Sequence, residues 1–310
     1  MQHLNGLHHV TAITGSAQQN LNFYRNLLGL RFVKKTVNFD DPSAYHFYFG
    51  DRIGSPGTIM TFFAFEGARP GRRGNGEVAA THFAVPEGSL PFWRQYLTDH
   101  GVEAVGGDER FGEERLVFKD PDGTDLVLTQ TDWQETEQIW ATDEIGAEVA
   151  IRGFRGVSMI LQDAGATAEL LQGVMGYRQT GSDGSRLRFE AETDRTARFL
   201  EIDVRADAAR ALSGAGSVHH VAFSTPDSDS QQAVREELIS AGFEPTPQID
   251  RDYFKAIYFR TPGGVLFEVA TDVPGFAVDE PVDMLGQTLK LPKQHEDKRA
   301  RLEQSLPEVV

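Results

Sequence analysis

Three residues far apart in the 310-residue chain have side chains that could share one cation: His9, His220 and Glu268. His9 stands in GLHHVTAIT and His220 in SVHHVAFST, two strand-like segments with the same HHV core. Glu268 stands in GVLFEVAT, flanked on both sides by apolar residues. A carboxylate buried in such a strand without a counter-charge costs on the order of several kcal/mol, so it calls for a cation or strong donors. Two neutral imidazoles and one carboxylate meeting on a divalent metal supply that cation and leave coordination positions open. A single strand histidine is ordinarily a hydrogen-bonded structural residue, and a single strand glutamate ordinarily faces solvent. A His pair recurring at one repeat position, with an acid in an apolar strand, favours the metal. His3, His46, His100 and His295 have no such counterpart and read as structural, although AYHFYFG could turn His46 toward a pocket.

The elements that must position these residues come in four copies. Each begins with a short strand, passes into a helix stopped by glycine, and ends in strands closed by a turn. The copies open at GLHHVTAIT, ATHFAVPEG, GFRGVSMIL and SVHHVAFST, and their helices stop at Gly29, Gly101, Gly176 and Gly242. FKDPDGTDLVLTQTD in the second copy matches FRTPGGVLFEVATD in the fourth, with turn-forming pairs before the last strand. Each copy is a βαβββ module that cannot cover its own sheet, so modules must pair. The fold class is α+β, and the four modules pair into two open, barrel-like mixed β-sheets. Residues 1–132 form an N-terminal half of two modules, 133–151 a polar linker anchored by Trp140, and 152–275 a C-terminal half of two modules. Residues 276–310 form an extension with a short helix near 295–305. Alternation places His9, Thr11 and Ile13 on one face of the first strand and His8, Val10 and Ala12 on the other. The inner modules lack the full set: Arg155 and Gly156 replace a His pair, Val127 stands where Glu268 would be, and His82 and Glu201 remain as remnants. One site is therefore expected, built by modules one and four.

Composition narrows the function classes. Thirty Lys+Arg against 46 Asp+Glu give a formal charge of −16, a field that repels nucleic acid and anionic membrane. The basic residues of KQHEDKRARLEQ are interleaved with acids, the pattern of a solvated helix face. The absence of cysteine excludes disulfides, thiolate metal sites and cysteine nucleophiles. No apolar run approaches the roughly 18–20 residues of a membrane span. MQHLNGLHHV lacks the pattern of a signal peptide, and the absence of cysteine fits a cytoplasmic enzyme.

The ordered combination of LHHVT (7–11), RFVKKTVNFDDPSAYHFYFGD (31–51), PGTIMTFF (56–63), VHHVAF (218–223), RDYFKAIYFRTPGGVLFEVATD (251–272) and LPKQHEDKRARLEQSLP resembles the vicinal-oxygen-chelate superfamily. Within that superfamily of glyoxalases, bleomycin-resistance proteins and extradiol dioxygenases, it is similar to the ring-cleaving enzymes acting on hydroquinones, over nearly the whole chain. The resemblance implies a vicinal-oxygen-chelate fold and a non-haem Fe(II) dioxygenase that opens the ring of a hydroquinone or catechol with O2. It implies iron ligands at His9, His220 and Glu268, and supporting roles for His8, Thr11, His219, Arg251 and Tyr258. Tyr258, with His219 or His8, is the expected acid/base, and Arg251 the expected orienting charge. Mn(II) accepts the same ligands. The expected partners are a small aromatic substrate and O2, with no nucleic acid and no membrane, and self-association is open. Two alternatives stand beside this reading: a glyoxalase-like metal-dependent isomerase or lyase, and a metal-free module that sequesters an aromatic compound.

Overall fold

Each of the four repeats folds as one strand, one helix and three further strands in a computed structural model that describes residues 3–132 and 138–310, the side chains of 106–108 apart. The first comprises β1 (Leu7–Thr14), α1 (Ala17–Leu21), β2 (Arg31–Val37), β3 (Tyr45–Gly50) and β4 (Ile59–Ala64). The second comprises β5 (Glu77–Pro86), α2 (Leu90–Asp99), β6 (Val105–Arg110), β7 (Glu113–Lys119) and β8 (Asp125–Thr131). The third comprises β9 (Phe154–Leu161), α3 (Gly165–Gly173), β10 (Tyr177–Asp183), β11 (Arg186–Ala191) and β12 (Phe199–Val204). The fourth comprises β13 (Val218–Thr225), α4 (Ser228–Ser240), β14 (Ile249–Asp250), β15 (Phe254–Arg260) and β16 (Leu266–Pro274).

The strands form two eight-stranded mixed sheets, ordered β14-β15-β16-β13-β1-β4-β3-β2 and β10-β11-β12-β9-β5-β8-β7-β6. Modules one and four thus share one sheet and modules two and three the other. The joint in each sheet is antiparallel, β1 on β13 and β5 on β9, while first and last strands within a module run parallel. This arrangement puts His9 and His220 on adjacent central strands although they are 211 residues apart. No described helix is long and apolar enough to cross a membrane.

The first helix departs from the regular spacing seen in the sequence. After Leu21 it widens into a π-helical turn over Asn22–Leu27, with Leu28 N–H donating to Phe23 O. The wider turn lets the consecutive Phe23 and Tyr24 both enter the core. Of the linker, 133–137 lie outside the described residues; beyond them Arg31 stacks over Trp140 at 4.8 Å, and Ile145 and Ile151 are buried. The C-terminal extension includes α5 (Arg299–Ser305) and is pinned to the first sheet through Lys34. Lys34 Nζ is fully buried, 2.6 Å from Asp279 and bonded also to Glu280.

A buried acid ties the first two modules together. Tyr24 OH donates to Asp120 Oδ2 at 3.0 Å, and the Asp122 and Thr124 N–H groups donate to Oδ1. Burial nevertheless pushes the Asp120 carboxyl up to about 6. A raised acid pKa means the fold binds the proton more tightly than the unfolded chain, so this stabilising contribution is complete below about pH 4 and lost as pH rises through about 6. Asp120→Asn removes the titration. Urea denaturation of both proteins should show wild-type stability, relative to the variant, falling by about 2 kcal/mol between pH 4 and 7. A pH-independent difference would contradict this.

Candidate metal centre

The two central strands of the first sheet each carry a β-bulge at their His pair. Leu7 pairs with Phe223 and His9 with Ala222, so His8 is the extra residue on β1. Thr11 pairs with His220 and Ala12 with Val218, so His219 is the extra residue on β13. Strict alternation would set His8 and His9 on opposite faces; the bulge turns them toward each other, because an extra residue re-aims its side chain. The Nδ1 atoms of His8 and His9 lie 3.0 Å apart, and those of His219 and His220 2.7 Å apart. With His8 accepting at Nδ1, its partner there is the Nδ1–H of His9. The network therefore assigns His9 the tautomer whose Nε2 lone pair faces inward.

Glu268 arrives on β16, beside Ala222 of β13. His9 Nε2 and His220 Nε2 are 3.2 Å apart, and Glu268 Oε2 lies 3.4 Å from the first and 2.9 Å from the second. The three residues are 2%, 4% and 0% exposed. Despite the short contacts, neither oxygen of Glu268 has a hydrogen bond of acceptable geometry. Burial pushes the Glu268 carboxyl up, but His9 and His220 outweigh it and hold the group below the usual carboxylate range. Burial lowers His220 and lowers His8 well below the ordinary imidazole range. Inward lone pairs on imidazoles beside an inward carboxylate repel one another unless a cation sits between them. Among the described residues this trio forms the one group of three His or acid side chains positioned to hold a metal.

The second sheet supplies a control within the molecule. Glu201 on β12 is also buried in a central strand, at 1% exposure, but there Arg188 Nη2 donates to Oε1 at 2.7 Å and Ser158 to Oε2 at 2.9 Å. Burial raises its pKa, and His82, Arg188 and Arg115 together outweigh that, leaving about 2. Nature has met one buried glutamate with guanidinium and left the other facing two imidazoles. The donor set around Glu268 fits a divalent metal.

A cavity with about 320 Å³ of open space adjoins the trio. Tyr258, Arg251, His46, Tyr48, Phe254 and Phe63 line it, together with Asn38, Phe39 and Asp40 from the loop before β3. Tyr258 pairs with Glu268 across β15 and β16, and its ring centroid is 5.8 Å from that of His220. Burial, then Glu268, raise the Tyr258 phenol well above its ordinary range, so it stays protonated. The Arg251 guanidinium lies over the rings of Tyr258 and Phe39 at 5.5 and 5.4 Å and donates to Asp40 at 3.2 Å.

Of the residues expected to support the metal, Tyr258 and Arg251 thus reach the cavity. His8 and His219 touch the imidazoles of His9 and His220 from behind, and His219 opens instead to a groove lined by Asn75, Gln162 and Arg260. Thr11 stands further back, its Oγ1 2.8 Å from that of Thr61, which bonds His46 Nε2 at 2.8 Å, whose Nδ1 meets Tyr48 OH at 2.9 Å. Tyr48, Phe63, Phe254 and the Asn38–Asp40 loop are site residues that pattern reading missed. For Tyr48 the signal was present: it shares the alternating face of AYHFYFG with His46.

Comparison with known proteins places this architecture in a family. The profile of the Glyoxalase/Bleomycin resistance protein/Dioxygenase superfamily matches residues 6–128 and 156–269. The chain is 42% identical over 301 residues to the "Putative ring-cleaving dioxygenase MhqO" of Bacillus subtilis strain 168, covering 97% of this chain and 95% of that protein. It is 34% identical over 304 residues to the "Chlorohydroquinone/hydroquinone 1,2-dioxygenase" of Sphingobium indicum, covering 95% and 94%. The crystal structure of a "putative dioxygenase" from Bacillus subtilis superposes with a TM-score of 0.96 at 40% identity, covering 100% of this chain and 99% of that one. Glyoxalase I of Zea mays, at 16% identity, covers 86% and 92% with a TM-score of 0.62 and shares the fold alone. By profile, full-length relatives and architecture, the chain belongs to the glyoxalase/bleomycin resistance protein/dioxygenase superfamily.

Proposed function

We propose that this chain is a ring-cleaving dioxygenase of hydroquinone-type substrates, with iron(II) held by His9, His220 and Glu268. The observation that carries the reading is the pair of buried, hydrogen-bond-free oxygens of Glu268 set against two inward imidazole nitrogens. The full-length relatives named as ring-cleaving and hydroquinone dioxygenases favour oxygen chemistry over isomerisation. Iron(II) bound there supplies Lewis acidity toward a phenolic oxygen and the one-electron chemistry that lets O2 react with a closed-shell ring.

The chain's own residues do the rest. Phe254, Phe63 and Phe39 give the small cavity an apolar wall against which the face of an aromatic ring could pack. Arg251 sits where it can offset negative charge on a bound phenolate. Tyr258, protonated and beside Glu268, is the donor placed to deliver a proton at the substrate's oxygen. His8 and His219 fix the tautomers of the ligand imidazoles. We assign the chain to the cytoplasm, in keeping with its lack of cysteine.

Oxygen uptake on hydroquinone and catechol tests the reading: uptake that depends on iron is expected, and iron-independent isomerisation without uptake would favour the glyoxalase-like alternative. Tyr258→Phe should lower kcat by about 10²–10⁴-fold, the usual contribution of a positioned proton donor, while iron content is unchanged. Unchanged turnover would remove Tyr258 from that role.

A further inference from the structure

The second sheet is laid out on the registers of the first, with its bulges at Ala79 on β5 and Arg155 on β9. Ala79 and Ala80 thereby take the positions of His8 and His9, while Arg155 and Gly156 take those of His219 and His220. Glu201, beside Ser158 on β9 as Glu268 is beside Ala222 on β13, keeps the carboxylate. Arg188 faces Glu201 as Tyr258 faces Glu268, and Arg115 stands where His46 stands. Restoring a metal set here is sterically blocked, since a Cβ on Gly156 would lie 2.2 Å from Phe199 Cδ2.

Loss of the imidazoles leaves a cavity with about 800 Å³ of open space, more than twice that beside Glu268. In a chain of net charge −16 its wall is cationic, with Arg73, Arg110, Arg115, Arg186 and Arg205 against Asp125, Glu201 and Asp203. Arg186 and Arg205 converge on one oxygen of Asp203, at 3.0 and 2.8 Å, so two guanidiniums share a single carboxylate. The buried wall atoms without a hydrogen-bond partner include Arg73 Nη1, a donor, and His82 Nδ1. Because Ser158 Oγ donates to Glu201 at 2.9 Å, it accepts from His82 Nε2 at 2.7 Å, which leaves His82 Nδ1 as a bare lone pair. Burial holds that imidazole neutral, its pKa lowered to about 3. Between the polar groups the wall is apolar, with Val117, Val127 and Met159.

Cationic donors, a waiting acceptor and apolar walls describe a ligand of one kind. We propose that the cavity of the second sheet binds a small organic carboxylate bearing a hydroxyl, the carboxylate at Arg73 and the neighbouring guanidiniums and the hydroxyl donating to His82. This site is separate from the proposed iron centre, so its failure would leave the oxygen chemistry untouched.

Calorimetric titration of the iron-loaded protein with 4-hydroxybenzoate tests it. Saturable binding is expected, about tenfold weaker for benzoate, which lacks the hydroxyl, and about tenfold weaker in Arg73→Met. Ala79→Leu, which fills the cavity without touching a charge, should weaken binding as well, and His9→Ala should leave it unchanged. Absence of saturable binding would overturn the proposal. So would loss of binding in His9→Ala with retention in Arg73→Met, which would place the probe at the first sheet. Inorganic phosphate binding as tightly as 4-hydroxybenzoate would also overturn it, by showing a general anion site.

Discussion

Changing Glu268 to Gln lowers ring cleavage by at least about 10³-fold and leaves the purified protein with little metal, because the amide cannot supply the anionic ligand that two neutral imidazoles lack. The change is nearly isosteric in a fully buried position, so the variant keeps the fold. Thermal unfolding separates the two effects. Wild-type protein should gain about 3–4 kcal/mol of stability when iron(II) is present at 10²–10³ times its Kd, since ligand binding to the folded state stabilises it. Glu268→Gln should gain almost nothing from the same iron. His9→Ala and His220→Ala should behave alike, whereas His8→Ala, which acts through the His9 tautomer, should cost roughly 10–100-fold in metal affinity. A Glu268→Gln protein that still binds iron stoichiometrically would show that the carboxylate has another purpose.

Removing Arg188 is the largest expected blow to stability. Its guanidinium, 3% exposed, donates to Glu201 at 2.7 Å and reaches Glu113 at 2.6 Å while lying over Phe111 and Phe199. Arg188→Leu strands Glu201, whose next guanidinium, Arg115, is 3.8 Å away. Breaking a buried pair from one side typically costs about 3–5 kcal/mol, because the remaining charge is left in a poorly solvated site. For a chain of this size that is a fall in Tm of roughly 5–8 °C. Adding Glu201→Gln to Arg188→Leu should recover part of the loss. A double variant no more stable than Arg188→Leu would mean that stacking on Phe199 and Phe111, rather than charge, accounts for the effect.

The contrast between Glu268 and Glu201 also shows why parts of the molecule were legible in the sequence. His9, His220 and Glu268 stood out because each is a polar residue breaking an apolar strand at a position the repeats make comparable. The repeats likewise made the βαβββ modules and their pairing readable, since a ligand set split between modules one and four requires those strands to meet. Alternation alone misplaced His8 relative to His9, because a bulge adds a residue that no local composition signals. The π-helical turn at Asn22–Leu27 was hidden for the same reason: its sequence is ordinary helix. Phe39, Asp40 and Phe254 enter the cavity through a loop and a strand edge whose placement depends on long-range contacts, such as His295 Nε2 to Phe39 O at 2.9 Å. His295 looked structural in the sequence and is so, but what it braces is the wall of the site.

The proposed metal centre holds one iron(II), and ring cleavage depends on it. Purified protein stripped with a chelator and reloaded anaerobically with iron(II), manganese(II) or zinc(II) provides the most direct measurement. Metal analysis paired with oxygen uptake on hydroquinone should give one iron per chain and uptake proportional to iron bound, with zinc bound but inert. Oxygen uptake on hydroquinone by metal-free protein, or iron binding that survives loss of His9, His220 and Glu268 together, would contradict the account.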